Sequence, residues 1–288
     1  MNGLSEITSA LIDLALREDV GDDMQSGDVT SYYFVPEQQM SHAFIRAKAE
    51  GVLAGMQVAV EVFHRVNPEL EVTQLKADGD QLAPGDHVLK VSGQARSILT
   101  AERTALNFLQ RLSGVATQTQ TYVAETQGTH ARILDTRKTT PGWRALEKMA
   151  VVAGGGSNHR MGLYDRAMVK DNHLVAQREL DSLQSAIDRL LEERGEVEVE
   201  LEADTLEQVQ DFLGLRGVHY ILLDNMDHAS MRKAVAMRNE CGSTVALEAS
   251  GGVTLETVAG IADTGVDFIS VGALTHSAVA LDLSLEFE

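Results

Sequence analysis

Residues 196–225 read EVEVELEADTLEQVQDFLGLRGVHYILLDN. The opening EVEVELEA (196–203) alternates charged and apolar residues with the period of two that a strand requires, so Glu200 and Glu202 share a face. TLEQVQDFLGL reads as a helix, and HYILLDN (219–225) is an apolar strand ending in Asp224. A strand, a helix and a second strand in this order imply parallel strands joined by a crossover helix.

The same rhythm extends both ways. ARILDTRK (131–138) and RAMVKDN (166–172) precede this unit as strand candidates, and TVALEASGG (244–252) and DFISVGA (267–273) follow it. LDSLQSAIDRLLEER, MDHASMRKAVAMRN and TLETVAGIADTG lie between strands as helices. Each strand runs into a polar or small group at its C-terminal end: Arg137-Lys138, Lys170, Glu202, Asp224, Ser250-Gly251 and Gly272. Parallel α/β barrels carry their active sites at that end. The pattern predicts a barrel over 113–273 whose rim holds cations from early strands, carboxylates from middle strands and small residues from late ones. Small residues suit a phosphate, because exposed backbone N–H groups approach its oxygens closely.

Before residue 113 the texture differs. SHAFIRAKAEGVLAG (41–55) alternates like a strand, and LEVTQLKADGDQLAPGDHVLKVSG (70–93) reads as strands joined by DGD and PGD turns. ILTAERTALNFLQRL (98–112) has helical spacing with Thr100 as a candidate cap. At the start of the chain, Leu4, Ile7, Leu11 and Leu14 recur at helical spacing, with Ser5 as N-cap.

The 288 residues carry 24 Lys+Arg against 43 Asp+Glu, a net charge of −19. That opposes nucleic-acid binding, which wants a basic face, and serves solubility. The one cysteine, Cys241, excludes an intrachain disulfide and a cysteine-rich zinc site. No apolar run reaches the ~18–20 residues that span a bilayer, and the N-terminus lacks a basic n-region and a small-residue cleavage site. The expectation is a cytoplasmic protein that engages no membrane. Charge is unevenly placed, however. From His130 to His173, eight Lys and Arg face four Asp and Glu, a local balance of +4. A basic block in an acidic chain points to a site for an anion.

Single motifs in this block have ordinary readings. The Arg137-Lys138 pair of DTRKTTPG (135–142) fits a solvated loop as well as a site, since adjacent strand residues face opposite ways unless the strand is already turning. GGGSNHR (154–160) offers backbone freedom, and its His159-Arg160 pair offers donors for a carboxylate or phosphate. Lys170 behind an apolar strand is either an anion ligand, a snorkelling surface lysine or a Schiff-base amine. Glu202 and Asp224 at neighbouring strand ends suit a salt-bridge network, sugar hydroxyls, or Mg²⁺ carried by a phosphate. ASGG and SVGALTHS gain weight by sitting where a barrel phosphate site belongs. Arg103, on a helix outside the barrel, reads by itself as half of a surface i,i+4 ion pair.

Taken together these blocks resemble the quinolinate phosphoribosyltransferases, decarboxylating enzymes of pyridine-nucleotide synthesis. The resemblance runs from about Ile7 to the C-terminus. It is carried by GDVTS (27–31), EGVLAG (50–55), LTAERTALNFLQRLSGVAT (99–117), DTRKTTPGWRALEKMAV (135–151), GGGSNHRMGLYDRAMVKDNH (154–173), LLDN, LEASGG and SVGALTHS in order. It implies an N-terminal α/β sandwich domain over 1–112, joined by a returning segment 274–288, and an open or incomplete α/β barrel over 113–273. It implies a homodimer in which Arg103 reaches the neighbour's site. It also implies transfer of phosphoribose from 5-phosphoribosyl 1-pyrophosphate (PRPP) to quinolinate, with Mg²⁺ bound to PRPP and no organic cofactor. Arg103, Arg137, His159, Arg160 and Lys170 would surround the quinolinate carboxylates. Lys138 and Lys170 would face the pyrophosphate, with Thr136 beside them. Glu202 and Asp224 would hold the ribose hydroxyls or the substrate-borne Mg²⁺. Ser250, Gly251, Gly252, Val271, Gly272 and Ala273 would cradle the 5-phosphate, with His276 nearby. On this resemblance Lys138, Lys170, Glu202 and Asp224 carry the catalysis.

Overall fold

The computed structural model describes residues 5–24, 26–170 and 180–288. The chain divides into two compact units, one made of Met1–Gln120, Thr139–Gly155 and Leu274–Glu288, the other of Thr121–Lys138 and Gly156–Ala273.

In the first unit, helix Glu6–Val20 starts at Ser5, whose hydroxyl accepts the Thr8 N–H at 3.2 Å. Its buried stripe is Thr8, Ile12, Leu16 and Val20, whereas Ile7 and Leu14 are exposed. The sequence pattern therefore found the helix but marked the wrong face; Leu4 lies outside the described residues. Strands β1 (Met40–Ala47), β2 (Gly51–Val52), β3 (Glu71–Gln74), β4 (Gln81–Leu82) and β5 (His87–Gln94) follow, with β1–β5 and β3–β5 paired antiparallel.

Strand β5 passes without a break into helix Ala95–Glu125. Thr100 is thus inside this helix and not its cap; its hydroxyl donates to Arg96 O and to Asp28 Oδ2. The helix is tied by its hydroxyls to β2 and the residues just after it: Thr117 accepts the Val52 N–H and Ser113 the Ala54 N–H. Gly114 lets the C-terminal segment approach, since a Cβ there would sit 2.1 Å from the Val279 carbonyl oxygen. Helix Arg144–Ala153 is anchored by the fully buried Glu147, which accepts from Arg111 at 3.0 Å and from the Thr140 N–H and hydroxyl at 3.0 and 2.8 Å. Trp143 stacks on Phe108 with ring centroids 4.8 Å apart.

The second unit is the predicted parallel sheet. Its strands are β6 (Arg132–Leu134), β7 (Arg166–Val169), β8 (Glu198–Ala203), β9 (Tyr220–Asp224), β10 (Ala246–Ser250) and β11 (Phe268–Ser270), in the order β6-β11-β10-β9-β8-β7 with every pair parallel. Helices Leu180–Glu193, Leu206–Leu213, His228–Glu240 and Leu255–Ala262 connect the last five strands. Thr205 closes a capping box with Gln208, and Asp227 caps helix His228–Glu240 through the Ser230 N–H. Pairing of β6 with β11 curls the sheet back on itself. Among the described residues no strand bonds β6 to β7, although Ser157 makes an isolated parallel bridge with Leu134. This is an incomplete α/β barrel. The last strand, β12 (Leu283–Phe287), pairs antiparallel with β1 and completes the order β12-β1-β5-β3 in the first unit. No described helix is long and apolar enough to cross a membrane.

Candidate active site

Parallel strands covered on both faces are ordinarily apolar on both. Here one face of the second unit is not. Met168 and Lys170, Glu202, Leu222 and Asp224, Glu248 and Ser250, and Ser270 line a cavity of about 410 Å³ at the C-terminal ends of β7 to β11. The alternate residues Leu201, Leu223, Leu247, Ala249 and Ile269 are buried on the other face. The period-two pattern of EVEVELEA thus separates an apolar packing face from a polar interior.

Loops complete the cavity. Strand β6 spans only three residues, so Thr136, Arg137 and Lys138 lie beyond it, and all three line the cavity. The Lys138 N–H donates to the Thr136 hydroxyl at 3.0 Å, a local turn of the kind that brings adjacent side chains to one side. His159 and Arg160 come from the segment beside β6, where the His159 N–H donates to Asp135 Oδ1 at 2.8 Å. The Arg160 guanidinium donates to Arg166 O at 3.1 Å and rests on Met168 Sδ at 3.5 Å. Burial first, then the Arg137 cation, holds Arg160 below the ordinary arginine value. Crowding two guanidiniums into a partly desolvated space leaves a field that an anion relieves.

Lys170 Nζ donates to Glu202 Oε2 at 2.5 Å. Asp224 Oδ2 accepts from Asn225 Nδ2 at 2.7 Å. Asn225 itself takes a left-handed conformation (φ 52°) and donates its N–H to Ser250 O at 2.9 Å. Opposite it, Gly251 has φ +96°, and a Cβ there would sit 2.1 Å from Asn225 Oδ1. Only glycine fits that position, and it leaves the Ser250–Gly252 backbone open to the cavity.

Beneath this rim lies a buried polar layer. The Arg166 guanidinium donates to Glu198 Oε2 at 2.8 and 3.0 Å, lies 3.6 Å from Glu200 and sits 3.9 Å from the Tyr220 ring centroid. Burial works to lower Arg166, but Glu200, Tyr220 and Glu198 outweigh it and the net shift is upward. Glu200 and Glu248 are both fully buried, and the Ser270 hydroxyl donates to Glu248. Burial, reinforced by Glu200, pushes the Glu248 carboxyl well above the usual carboxylate range.

Eleven of the predicted positions therefore share one cavity: Thr136, Arg137, Lys138, His159, Arg160, Lys170, Glu202, Asp224, Ser250, Gly251 and Gly252. Val271, Gly272 and Ala273 follow β11 outside its lining; Val271 is buried and its N–H donates to Leu134 O. His276 ends the short helix Ala273–His276, is exposed, and its Nδ1 meets the Ser277 hydroxyl at 2.7 Å. Asp171, Asn172 and His173 of the KDNH run lie outside the described residues. Arg103 is exposed on helix Ala95–Glu125. Its neighbours three and four residues away are Leu99, Thr100, Leu106 and Asn107, so the surface i,i+4 ion pair has no acidic partner.

Sequence reasoning missed Met168, Leu222, Asn225, Glu248 and Ser270 as lining residues. Met168, Leu222, Glu248 and Ser270 stand two places before a strand-end group that it did mark. Stepping back one strand period from Lys170, Asp224, Ser250 and Gly272 reaches them.

Carboxylates, clustered cations and a glycine loop at the C-terminal rim of an incomplete parallel barrel are the build of a phosphoribosyltransferase. The chain belongs to the quinolinate phosphoribosyltransferase family: the family's N-terminal and C-terminal domain models match residues 28–113 and 115–286. The chloroplastic nicotinate-nucleotide pyrophosphorylase (carboxylating) of Arabidopsis thaliana is 42% identical over 97% of this chain and 82% of its own length. A probable nicotinate-nucleotide pyrophosphorylase (carboxylating) of Bacillus subtilis (strain 168) is 40% identical, covering 92% of this chain and 89% of its own. The solved nicotinate-nucleotide pyrophosphorylase from Francisella tularensis is similar throughout, with a TM-score of 0.90 at 35% identity over 100% of this chain and 98% of that one.

Proposed function

We propose that this chain transfers phosphoribose from PRPP to quinolinate and decarboxylates the product, yielding nicotinate mononucleotide, pyrophosphate and CO₂ in the de novo synthesis of NAD. The observation that carries this reading is the single cavity holding Arg137, Lys138, Arg160 and Lys170 beside Glu202, Asp224 and the Ser250–Gly252 loop, in a chain of this family. Both substrates are polyanions, and four cations at one strand rim offset their charge at close range.

The chemistry follows from these residue types. The bond from the ribose anomeric carbon to pyrophosphate breaks with its electron pair leaving on oxygen, where Lys138 and Lys170 meet the charge. Positive charge develops on the ribose carbon, and Glu202 and Asp224 stabilise it and hold the ribose hydroxyls. The pyridine nitrogen closes the new bond with its lone pair and becomes cationic. Arg137 and Arg160, with Lys170, orient the two carboxylates. The ring then takes up the electrons of the bond to the adjacent carboxylate as CO₂ departs, and that carbon receives a proton from solvent. No covalent enzyme intermediate is required; positioning and preorganised charge supply most of the rate.

PRPP enters this reading as its Mg²⁺ complex. Glu202 and Asp224 present the carboxylate oxygens that Mg²⁺ prefers, and they would hold the substrate-borne ion. The Ser250–Gly252 backbone, with Gly272 and Ala273, receives the 5-phosphate. The reading also includes a homodimer in which Arg103 serves the partner subunit's site, and a cytoplasmic enzyme. A Schiff-base role for Lys170 is disfavoured, because its ammonium is engaged with Glu202, whereas a Schiff base needs a neutral amine.

The test is an assay of purified protein with quinolinate, PRPP and Mg²⁺, following mononucleotide, pyrophosphate and CO₂. Equimolar release of all three is expected. Turnover of nicotinate in place of quinolinate, without CO₂, overturns the reading.

A further inference from the structure

The buried groups at the floor of the cavity, His159, Glu248 and Ser270 with Glu200 behind them, are not used by the chemistry above. His159 is 7% exposed, and both its ring nitrogens point at protein groups. Its Nδ1 accepts the backbone N–H of Arg160 at 2.7 Å, so the ring hydrogen sits on Nε2. Nε2 approaches Glu200 at 3.4 Å to Oε1 and 3.1 Å to Oε2, the nearer oxygen being out of line for a hydrogen bond. It lies 3.5 Å from Glu248 Oε1, which also accepts from Ser270. One ring thus connects two buried carboxyls to the backbone of Arg160.

His159, Glu200 and Glu248 would also suit a cation by distance, their ligand atoms all lying within 4.8 Å of one another. The tautomer argues against it. A metal at Nε2 needs a lone pair there and a hydrogen on Nδ1, and the Arg160 N–H already points at Nδ1.

We propose that Glu200 and Glu248 are positioning residues for the quinolinate half of the site: they hold the His159 ring by its Nε2–H, and the ring holds the Arg160 amide, presenting that guanidinium to the pyridine dicarboxylate. The inference rests on the function proposed above. Two buried carboxylates packed side by side repel unless a proton or a cation lies between them. Burial and the Glu200 charge raise Glu248 well above the usual carboxylate range, which favours a proton there, and Arg166, 3.6 Å from Glu200, supplies a cation. The charged and titratable groups facing the pair are His159 and Arg160 from beside β6, Arg166 from β7, Glu198 from β8 and Tyr220 from β9. The links from Arg160 to His159 and from His159 to Glu200 are hydrogen bonds at a closed position, and Glu248 lies 3.5 Å from the same ring nitrogen, so loss of a carboxyl loosens the ring's orientation and displaces Arg160.

Three variants test this by steady-state kinetics in both substrates, with thermal melting to verify folding. Glu248→Gln keeps a neutral group of the same shape and should leave the quinolinate KM within about 3-fold of wild type. Glu248→Ala should raise that KM about 10-fold or more, the loss of a buried hydrogen-bond anchor, and leave the PRPP KM nearly unchanged. Ser270→Ala removes a hydroxyl only and serves if Glu248→Ala does not fold; it should raise the quinolinate KM about 3-fold. An unchanged quinolinate KM in folded Glu248→Ala, or in Ser270→Ala should Glu248→Ala not fold, overturns the inference. So does an equal rise in both KM values, or a Gln variant as impaired as the Ala variant. A wild-type protein inactive on quinolinate sinks the proposed function instead, which keeps the two failures distinct.

Discussion

Lys170, one residue past the end of β7, donates to Glu202 on the adjacent strand at 2.5 Å, with the lysine side chain 43% exposed and the glutamate 10%. The rim therefore pairs a cation with a carboxylate, and a polyanionic substrate competes for that cation. Lys170→Ala and Lys138→Ala should each fold and each lose turnover. Removing a group that stabilises transition-state charge costs ~2–4 kcal/mol, about 30- to 1,000-fold in kcat. Near-normal kcat in either variant removes that lysine from the chemistry.

Glu202→Gln and Asp224→Asn should separate transfer from binding. Both carboxylates belong to the ribose side in the proposed reaction, so kcat should fall by about 30-fold or more. Quinolinate affinity, read by calorimetric titration, should move little. A loss of affinity equal to the loss of turnover places these acids on the pyridine instead.

Two neighbouring glycines give a matched pair. Gly251→Ala drives a methyl into Asn225 Oδ1 at a backbone angle of +96°, whereas Gly252 has φ +59° and no atom within 4 Å of an added Cβ. Forcing alanine into the left-handed region costs roughly 1–2 kcal/mol by itself. Gly252→Ala should carry that strain alone. Gly251→Ala adds the clash and should raise the PRPP KM by about 10-fold more than its neighbour does. Equal behaviour of the two variants argues against a cradle shaped by Gly251.

Arg103 is tested by subunit exchange. Arg103→Ala and Lys138→Ala should each be nearly inactive alone. In the proposed dimer, with Arg103 serving the partner's site, a mixed pair would carry both changes in one site and leave the other intact, so mixing should restore activity up to about half of wild type per heterodimer. An active Arg103→Ala, or verified exchange without recovery, rules out a role across the interface.

Glu147 bears on stability. It is fully buried, and it accepts from Arg111 and twice from Thr140. Glu147→Ala orphans those donors and should destabilise the fold by about 3 kcal/mol in urea unfolding, the cost of breaking a buried pair from one side. A change under about 0.5 kcal/mol would show the pair to be energetically idle.

Much of this architecture is written locally. Strand periodicity, helix caps such as Ser5, and a polar group ending each apolar run depend on residues a few places apart, so 196–225 alone declares parallel strands with a crossover helix. The +4 balance of 130–173 and its candidate ligands are equally legible, and Arg137, Arg160 and Lys170 do meet in one cavity. Other features depend on which distant segments become neighbours. The helical spacing near the N-terminus did not distinguish Ile7 from Ile12, because the buried face is chosen by what the helix packs against. Thr100 looked like a helix start because nothing local shows that β5 runs directly into that helix. Glu248 was passed over in an apolar strand, and the Glu200 of EVEVELEA had no evident partner. Register between β8, β9 and β10 and the segment beside β6 bring both under the His159 ring. A one-dimensional pattern states which face a side chain takes; the company it keeps there is decided by pairings between strands tens of residues apart, and that company determines whether a buried carboxyl is charged, shared or protonated.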